Sequence, residues 1–107
     1  MWTDSHCHDV RDENLDEARA AGVGRFVTVG TDAASSQQCV DAAHRHDDVW
    51  AVVGVHPHDA KDADLDAIVR LLAEPRVVAI GECGLDHHYD HSPRDVQRTV
   101  FAAQVAI

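Results

Sequence analysis

The feature that most constrains the fold is a regular alternation of short apolar runs with longer segments of helical periodicity. Four apolar runs begin roughly 25 residues apart, which is the length of a βα unit. They cover residues 2–6, 25–29, 50–55 and 77–81. The runs are rich in β-branched residues and lack strict polar alternation, a pattern typical of parallel strands that are covered on both faces.

Segments of helical periodicity fill the gaps between these runs. They cover residues 13–21, 33–46 and 65–72, and a fourth begins at Pro93. Gly22 is a suitable stop for the first helix, and either Thr31 or Asp32 can cap the second. Because Ser92 precedes a proline, which is favoured at the first helical position, the pattern predicts that Ser92 caps the fourth helix.

Four consecutive βα units predict an α/β fold with a parallel sheet and right-handed crossovers. An open doubly wound sheet and a (β/α)8 barrel both fit. No glycine-rich phosphate loop follows the first strand, which disfavours a doubly wound dinucleotide-binding fold. A complete barrel needs about 250 residues. We therefore predict that residues 1–107 form one partial domain, the N-terminal half of a (β/α)8 TIM barrel, with strand edges and apolar interior exposed.

Composition limits the cellular compartments and the kinds of partner that suit the chain. The absence of a long apolar run predicts no membrane span, and the N-terminus has no secretory signal pattern. Three cysteines do not make a disulfide framework, so we expect reduced thiols in a cytoplasmic protein. The net charge of −10 is unusual for a protein that binds nucleic acid through Lys and Arg. Bound cations can supply the missing positive charge.

Nine histidines are present, and the first cluster is the sequence Asp4-Ser5-His6-Cys7-His8. Because alternate residues of a strand share a face, His6 and His8 point together and Cys7 points away. Two adjacent imidazoles suit a divalent transition metal. The alternative is a pair of surface histidines in a loop. The position at the end of a first barrel strand favours the metal interpretation.

The second cluster, His56-Pro57-His58-Asp59, follows the third predicted strand. The proline stiffens the turn that carries the two histidines. One interpretation is a contact to a substrate phosphate or leaving group, or an outer-shell partner of a metal. The alternative is a tight turn in which the histidines cap local backbone groups.

The third cluster, Gly81-Glu82-Cys83-Gly84-Leu85-Asp86, ends the fourth predicted strand. A carboxylate at the mouth of a parallel sheet, beside two histidines, can bridge two metal ions. The alternative for Glu82 is a rim acid in a surface ion pair. We favour the metal role because an acidic residue that stands between an apolar strand and a glycine is unusual for a residue that only faces solvent. Asp86 positions a histidine or caps the following loop.

The fourth cluster, His87-His88-Tyr89-Asp90-His91, could supply further ligands, but a polar loop on the active-site face is the favoured interpretation. Within it, Tyr89 is a candidate substrate contact.

Together these segments resemble the TatD family of metal-dependent hydrolases. The resemblance rests on TDSHCH, VGVHPHDA and VVAIGECGLDHHYDHSPRDVQRTVFAAQ, in that order along the chain. It implies a (β/α)8 barrel in which His6 and His8 are metal ligands and Glu82 is the catalytic carboxylate that bridges the metals. It also implies that His58 and Asp59 line the site, and that Gln97, Phe101 and Gln104 belong to a structural pattern in the last helix.

The activity that the resemblance implies is divalent-metal-dependent cleavage of phosphodiester bonds in DNA, often as an exonuclease. Two divalent ions, Mg²⁺, Mn²⁺ or Zn²⁺, would polarise a phosphoryl oxygen and activate water. Strand ends or short single strands of DNA would be preferred to long duplex. His56, His58, Asp59, Asp86 and Tyr89 are the predicted substrate-binding residues.

The chain departs from the family at His87-His88, where members often carry an aromatic pair, and it has no counterpart of the family's later histidines and late aspartate. We therefore expect these 107 residues alone to be inactive, because the rest of the barrel is missing from this chain. Two alternatives remain open. One is an amidohydrolase-like enzyme acting on a small molecule, although related barrels often carry a lysine where this chain has Glu82. The other is a non-catalytic metal-binding fragment.

Overall fold

Strands and helices alternate through the whole chain, as the sequence pattern predicts. The computed structural model describes residues 1–107. Its elements are β1 (Trp2–Cys7), α1 (Asp12–Ala20), β2 (Val23–Val29), α2 (Ala33–Arg45), β3 (Val49–Val53), α3 (Leu65–Leu72), β4 (Val77–Ile80) and α4 (Arg94–Ala106). All eight predicted elements are present, with ends that differ from the predicted ones by no more than two residues. The sequence analysis did not anticipate a 3-10 helix, Pro57–Asp62, which follows β3.

The four strands form one parallel sheet in the order β1-β2-β3-β4. A doubly wound sheet reverses its strand order at a switch point, whereas a barrel adds each strand beside the previous one. The sequential order therefore distinguishes the two architectures that the sequence left open, and it favours the barrel. The carboxyl ends of all four strands meet at one rim.

The hydrophobic core lies between the sheet and the helices. Phe26 of β2 and Val53 of β3 are almost fully buried, and so are Val40 of α2 and Ile68 of α3. The sequence predicts an apolar stripe of Leu65, Ile68, Val69 and Leu72 along α3. Ile68 is buried and Leu65 and Leu72 pack against the core, but Val69 is 49% exposed and Leu71 is the second buried residue of this helix. The helix α2 begins at a capping box, in which Asp32 accepts a hydrogen bond of 2.7 Å from the backbone N–H of Ser35. Of the two caps that the sequence allowed, Asp32 is the one used.

The outer strands are more open than the sequence pattern suggests. Trp2 of β1 is 74% exposed and Val78 of β4 is 55% exposed, so the prediction of strands covered on both faces is wrong for β1 and β4. Both are edge strands of the four-stranded sheet. This exposure agrees with the expectation of an open half barrel.

None of the helices combines the length and the apolarity that crossing a bilayer requires.

Ser92 does not cap α4, which corrects the prediction made from the Ser-Pro pair. The cap position is Pro93, and no side chain caps the first turn. The buried hydroxyl of Ser92 is instead engaged by the 3-10 helix. It donates to the backbone oxygen of His58 at 2.8 Å and accepts from the backbone N–H of Lys61 at 3.1 Å. Ser92 therefore fixes the start of α4 against the segment that carries His58.

Candidate metal centre and substrate cleft

Backbone hydrogen bonds bring the predicted site residues to one part of the rim. The carbonyl of Gly30, just after β2, accepts from the N–H of Glu82, and the next carbonyl, of Thr31, accepts from the N–H of His56. At Gly54 a side chain would collide with the backbone of Gly81, so glycine is needed where the ends of β3 and β4 approach. The segments that follow β3 and β4 are therefore held against the junction of β2 and α2.

Three potential ligand atoms converge at this rim. The Nε2 atoms of His6 and His8 are 3.1 Å apart, and they lie 3.4 Å and 3.5 Å from Oε2 of Glu82. These three residues are the one group of histidine, cysteine and acidic side chains in the structure whose arrangement could hold a metal ion. The fourth histidine cluster, residues 87–91, lies in the loop between β4 and α4, as predicted.

The spacing of these atoms fits a shared divalent ion. Two ligands that each lie about 2.0–2.1 Å from a tetrahedrally coordinated Zn²⁺ are separated by about 3.3 Å. The three observed separations lie between 3.1 and 3.5 Å. The donor set of two imidazole nitrogens and one carboxylate oxygen also suits such an ion, and it leaves positions for water or substrate.

Hydrogen bonding orients His8 for this role. Its Nδ1 lies 2.8 Å from the backbone oxygen of Val29, which can only accept, so Nδ1 carries the proton and Nε2 presents a lone pair. Cys7 points the other way, and its Sγ lies 3.6 Å from the backbone oxygen of Val27. Burial, with a smaller contribution from the carboxylate of Asp4, raises the pKa of the Cys7 thiol to about 11. Cys7 is therefore a protonated thiol that faces away from the cluster.

The two oxygens of Glu82 face different groups. While Oε2 faces His6 and His8, Oε1 lies 3.7 Å from Nε2 of His56. The Nδ1 atom of His56 accepts a hydrogen bond from the backbone N–H of His58. The neutral imidazole of His56 therefore carries its proton on Nε2 and directs an N–H toward Glu82.

His58 is held by a carboxylate from the next rim segment. Its Nε2 forms a short hydrogen bond with Oδ2 of Asp86. The other oxygen of Asp86 accepts from the backbone N–H groups of His88 and Tyr89. The hydrogen bond from His58, followed by these two backbone bonds, lowers the pKa of Asp86 to about 2. Asp86 is therefore an ionised anchor that joins His58 to the loop after β4.

Two buried glutamines of α4 hold the segments that carry these residues. Gln104 accepts from the N–H of Val55 at 2.8 Å and donates to the same residue's oxygen at 3.1 Å. Gln97 makes the equivalent pair with the N–H and oxygen of Asp86, at 2.8 and 3.0 Å. Each amide replaces the partner strand that these backbone groups lack at the sheet's end. The sequence signal for this structural role was the presence of two glutamines, Gln97 and Gln104, among the buried positions of α4.

A cleft of about 410 Å³ lies beside the three-ligand cluster. Its lining residues are His8, Val29, Thr31, Ser35, His56, His58, Asp59 and Glu82. Of the predicted substrate-binding residues, the structure thus brings His56, His58 and Asp59 to the cleft. Thr31 and Ser35 were not among the predicted site residues. They reach the cleft because the capping box of α2 lies at the rim.

The remaining two predicted substrate residues lie next to this cleft. Asp86 lines an adjoining depression together with His58. Tyr89 lies in the loop after β4 and does not line either cavity, but its ring is edge-on to that of His58 at 5.9 Å. Both alternatives considered for Asp86 are present, because it bonds to His58 and also caps the backbone of the following loop. For His56 the structure shows the backbone cap, and its contact with a substrate stays a prediction.

Comparison with known proteins agrees with this geometry. The family model for TatD-related DNases matches residues 3–107. The uncharacterised metal-dependent hydrolase YabD of Bacillus subtilis is 40% identical over 117 residues, which cover 100% of this chain and 46% of the relative. The 3'-5' ssDNA/RNA exonuclease TatD of Escherichia coli is 41% identical over 100 residues, which cover 91% of this chain and 38% of that protein.

A solved structure shows the same fold. The crystal structure of YjjV, a TatD homologue from Escherichia coli, matches with a TM-score of 0.78 at 24% identity, over 98% of this chain and 45% of that one. The chain thus spans less than half the length of these relatives. The predicted fold, the N-terminal half of a (β/α)8 barrel, is confirmed. The chain belongs to the family of TatD-related DNases.

Proposed function

We propose that the full-length protein is a divalent-metal-dependent hydrolase that cleaves phosphodiester bonds in nucleic acid, as a DNase or exonuclease. The observation that carries the proposal is the convergence of His6, His8 and Glu82 at the carboxyl rim of a parallel sheet. Membership of the TatD-related DNase family and relatives named as 3'-5' ssDNA/RNA exonucleases support it.

In this proposal His6, His8 and Glu82 hold a first divalent ion, and Glu82 also reaches a second one. When bound, such ions polarise the phosphoryl oxygen and lower the pKa of bound water. The divided orientation of the Glu82 carboxylate supports a bridging role, because only Oε2 faces the two histidines. Further ligands for the second ion come from parts of the barrel outside these residues. We assign Mg²⁺, Mn²⁺ or Zn²⁺ to the pair.

The substrate phosphate lies in the cleft beside Glu82. His56 presents an Nε2–H there, which suits donation to a phosphate oxygen. The ring of His58 lies 4.3 Å from that of His56 and is held through Nε2 by Asp86, so its other nitrogen, Nδ1, is the one available to the same phosphate or to the leaving oxygen. Asp59 lines the cleft, and its carboxylate is free for a water or a metal. Tyr89 contacts the part of the strand that extends past His58.

The charge of the chain supports a strand end or a short single strand of DNA as the substrate. With 19 acidic and 9 basic residues, the chain offers no extended cationic surface for duplex. Attraction must instead be local to the bound cations, which act on one or two phosphates at a time.

Three free cysteines suit a cytoplasmic, reducing environment.

A second candidate is that these 107 residues bind metal without catalysis. The observation in its favour is that all three converging ligands lie within this chain. On this view the isolated chain, which we propose forms one partial domain over residues 1–107, retains the ion but hydrolyses nothing. An amidohydrolase-like activity has no comparable observation in its support.

The test uses the full-length protein and end-labelled single-stranded DNA, single-stranded RNA and blunt duplex DNA. We expect cleavage of the single strands with added Mg²⁺, Mn²⁺ or Zn²⁺ and none with excess chelator. The double variant His6→Ala/His8→Ala should lose cleavage by at least about 100-fold, since metal affinity depends on its ligands. His44→Ala is the matched control, because His44 lies on α2 and contacts Pro75 rather than the cluster. Cleavage that persists in chelator or in the double variant contradicts the proposal.

A further inference from the structure

A row of aromatic rings extends outward from the three-ligand cluster. The rings of His56 and His58 are 4.3 Å apart. Beyond them, His58 meets His91 at 4.5 Å and Tyr89 at 5.9 Å, in both cases edge to face. Tyr89 and His91 are parallel to within 3°, with centroids 5.6 Å apart, which is an offset-stacked pair. The outermost part of the row is therefore the Tyr89 ring, with the His91 ring parallel to it and the His88 ring edge-on at 4.5 Å.

The Tyr89 ring is exposed although its loop is held firmly. The side chain is 64% exposed, and its backbone N–H donates to Asp86. Arg94 makes an ion pair of 2.8 Å with Asp90 and also donates to the backbone oxygen of His87. The backbone of the loop is thus held by these bonds, and the ring of Tyr89 packs beside that of His91. The loop exposes the aromatic face of Tyr89 to solvent. A face held in this way loses little conformational freedom when a planar ligand stacks on it.

Charge limits what else could attract a nucleic acid here. Arg94 is already paired with Asp90, and the Nζ of Lys61 donates to the backbone oxygen of His91. With a net charge of −10, the chain cannot draw the strand by phosphate contacts alone. Stacking of bases on aromatic side chains is the other general source of affinity for single strands, and it requires unpaired bases.

We infer that Tyr89, backed by His91, is a stacking platform for one unpaired nucleobase of the strand whose phosphate lies at His56 and His58. This inference rests on the proposed function, and it adds a base subsite to the phosphate site. It explains why single-stranded substrate suits the cleft, since a paired base cannot leave its stack without a cost. The subsite binds any base and does not distinguish one base from another, because every base has an aromatic face.

The experiment measures binding of the full-length protein with its divalent ion to a fluorescent single-stranded oligodeoxynucleotide by anisotropy, and phosphorothioate linkages keep the strand intact. A series of strands carries one abasic residue at each successive position from the free end. We expect one position at which loss of the base weakens binding roughly tenfold. Tyr89→Ala should bind the intact strand as weakly as the unaltered protein binds that abasic strand. Tyr89→Phe keeps the ring and should bind like the unaltered protein.

His87→Ala is the matched control, because it removes an imidazole of the same loop that is not in the row of rings. His91→Leu is a second test, and it should weaken binding to the intact strand alone. The inference is overturned if Tyr89→Ala shows the same dependence on the abasic position as the unaltered protein while metal-dependent cleavage is present. If the protein neither binds the strand nor cleaves it with metal, the proposed function itself fails, and the subsite fails with it.

Discussion

The two sides of the cleft are built in opposite ways. On one side, which we call the metal side, His6, His8 and Glu82 converge on each other, and their side chains are 52%, 51% and 35% exposed. On the other, which we call the anchored side, His56 and Asp86 are 23% and 18% exposed. The anchored side is fixed by backbone bonds and by the glutamines of α4. On the metal side only one side chain has an orienting bond to the backbone, that of His8 to Val29.

On the proposed function, the difference follows from what each side has to do. A group that binds an exchangeable ion must keep its lone pairs free, and the converging atoms of His6, His8 and Glu82 have no partner beyond one another. A group that positions a phosphate must be held in one place before the substrate arrives, and the bonds of the anchored side are made in advance. Substitutions on the metal side should therefore lower the affinity for metal and leave the free energy of unfolding nearly unchanged. Substitutions of the residues that hold the anchored side should lower the free energy of unfolding and leave the affinity for metal nearly unchanged.

Glu82→Gln gives the largest expected effect and tests the first half of this contrast. It keeps the shape of the side chain and removes the charge that the ion needs. We expect metal affinity to fall by at least about 100-fold, as measured by isothermal titration with Zn²⁺ and Mn²⁺, and cleavage to be lost. The free energy of unfolding without metal should change by less than about 0.5 kcal/mol, because the side chain lies at the rim.

Glu74→Gln is the matched control for this substitution. Glu74 is also an exposed acid near a histidine, with Oε2 3.7 Å from Nε2 of His44, but it lies outside the cluster. Metal affinity should be unchanged in this variant. If Glu82→Gln and Glu74→Gln have the same affinity, the metal side is no more than a group of surface charges.

Gln104→Met has the next largest expected effect and tests the anchored side. It leaves the buried N–H and oxygen of Val55 without their partners. Leaving such groups unsatisfied should cost about 2–4 kcal/mol of unfolding free energy, measured by denaturation with urea. Gln38→Met is the control, since Gln38 is an exposed glutamine of α2 that makes no hydrogen bond. Equal stability of the two variants would remove the distinction between the sides.

The metal side could be predicted from the sequence because its steps depend on local periodicity and on the resemblance to the TatD family. Alternation along β1 places His6 and His8 on one face. The parallel order of the strands then brings the segment after β4 to the same rim, and the resemblance predicts that Glu82 shares a metal with the two histidines. No knowledge of side-chain packing was needed. The same periodicity placed all eight elements to within two residues.

The anchored side could be predicted only in part, because its partners are chosen by tertiary packing. The pairing of Asp86 with His58 joins residues 28 positions apart, and local spacing does not select it over a simple loop cap. Ser92 shows the limit most clearly. Its local pattern predicts a helix cap, but its hydroxyl is taken by the backbone of the adjacent 3-10 helix. The two glutamines could be noticed in the stripe of α4, but not matched to the backbone that they hold.

The smallest expected effect concerns the ion pair of the anchored side and its dependence on pH. The pKa of Asp86 in the folded protein is about 2, below its ordinary value of 3.8, so the carboxylate is favoured by folding. Its stabilisation is fully present above about pH 4 and is lost as the pH falls toward 2. Asp86→Asn should remove that acid-dependent increment from the free energy of unfolding, measured by urea titrations between pH 2 and 5.

Other carboxylates with lowered pKa, such as Asp9 and Asp48, contribute to the acid limb of both proteins equally and cancel in the difference. Asp59→Asn is the control, because it removes a carboxylate of the same cleft whose side chain makes no hydrogen bond. The increment should be small, since the side chains of His58 and Asp86 are still 35% and 18% exposed and the pair is partly screened by solvent. If Asp86→Asn and Asp59→Asn follow the same pH curve, the bond to His58 does not anchor this side, and only Gln97, Gln104 and Ser92 hold it.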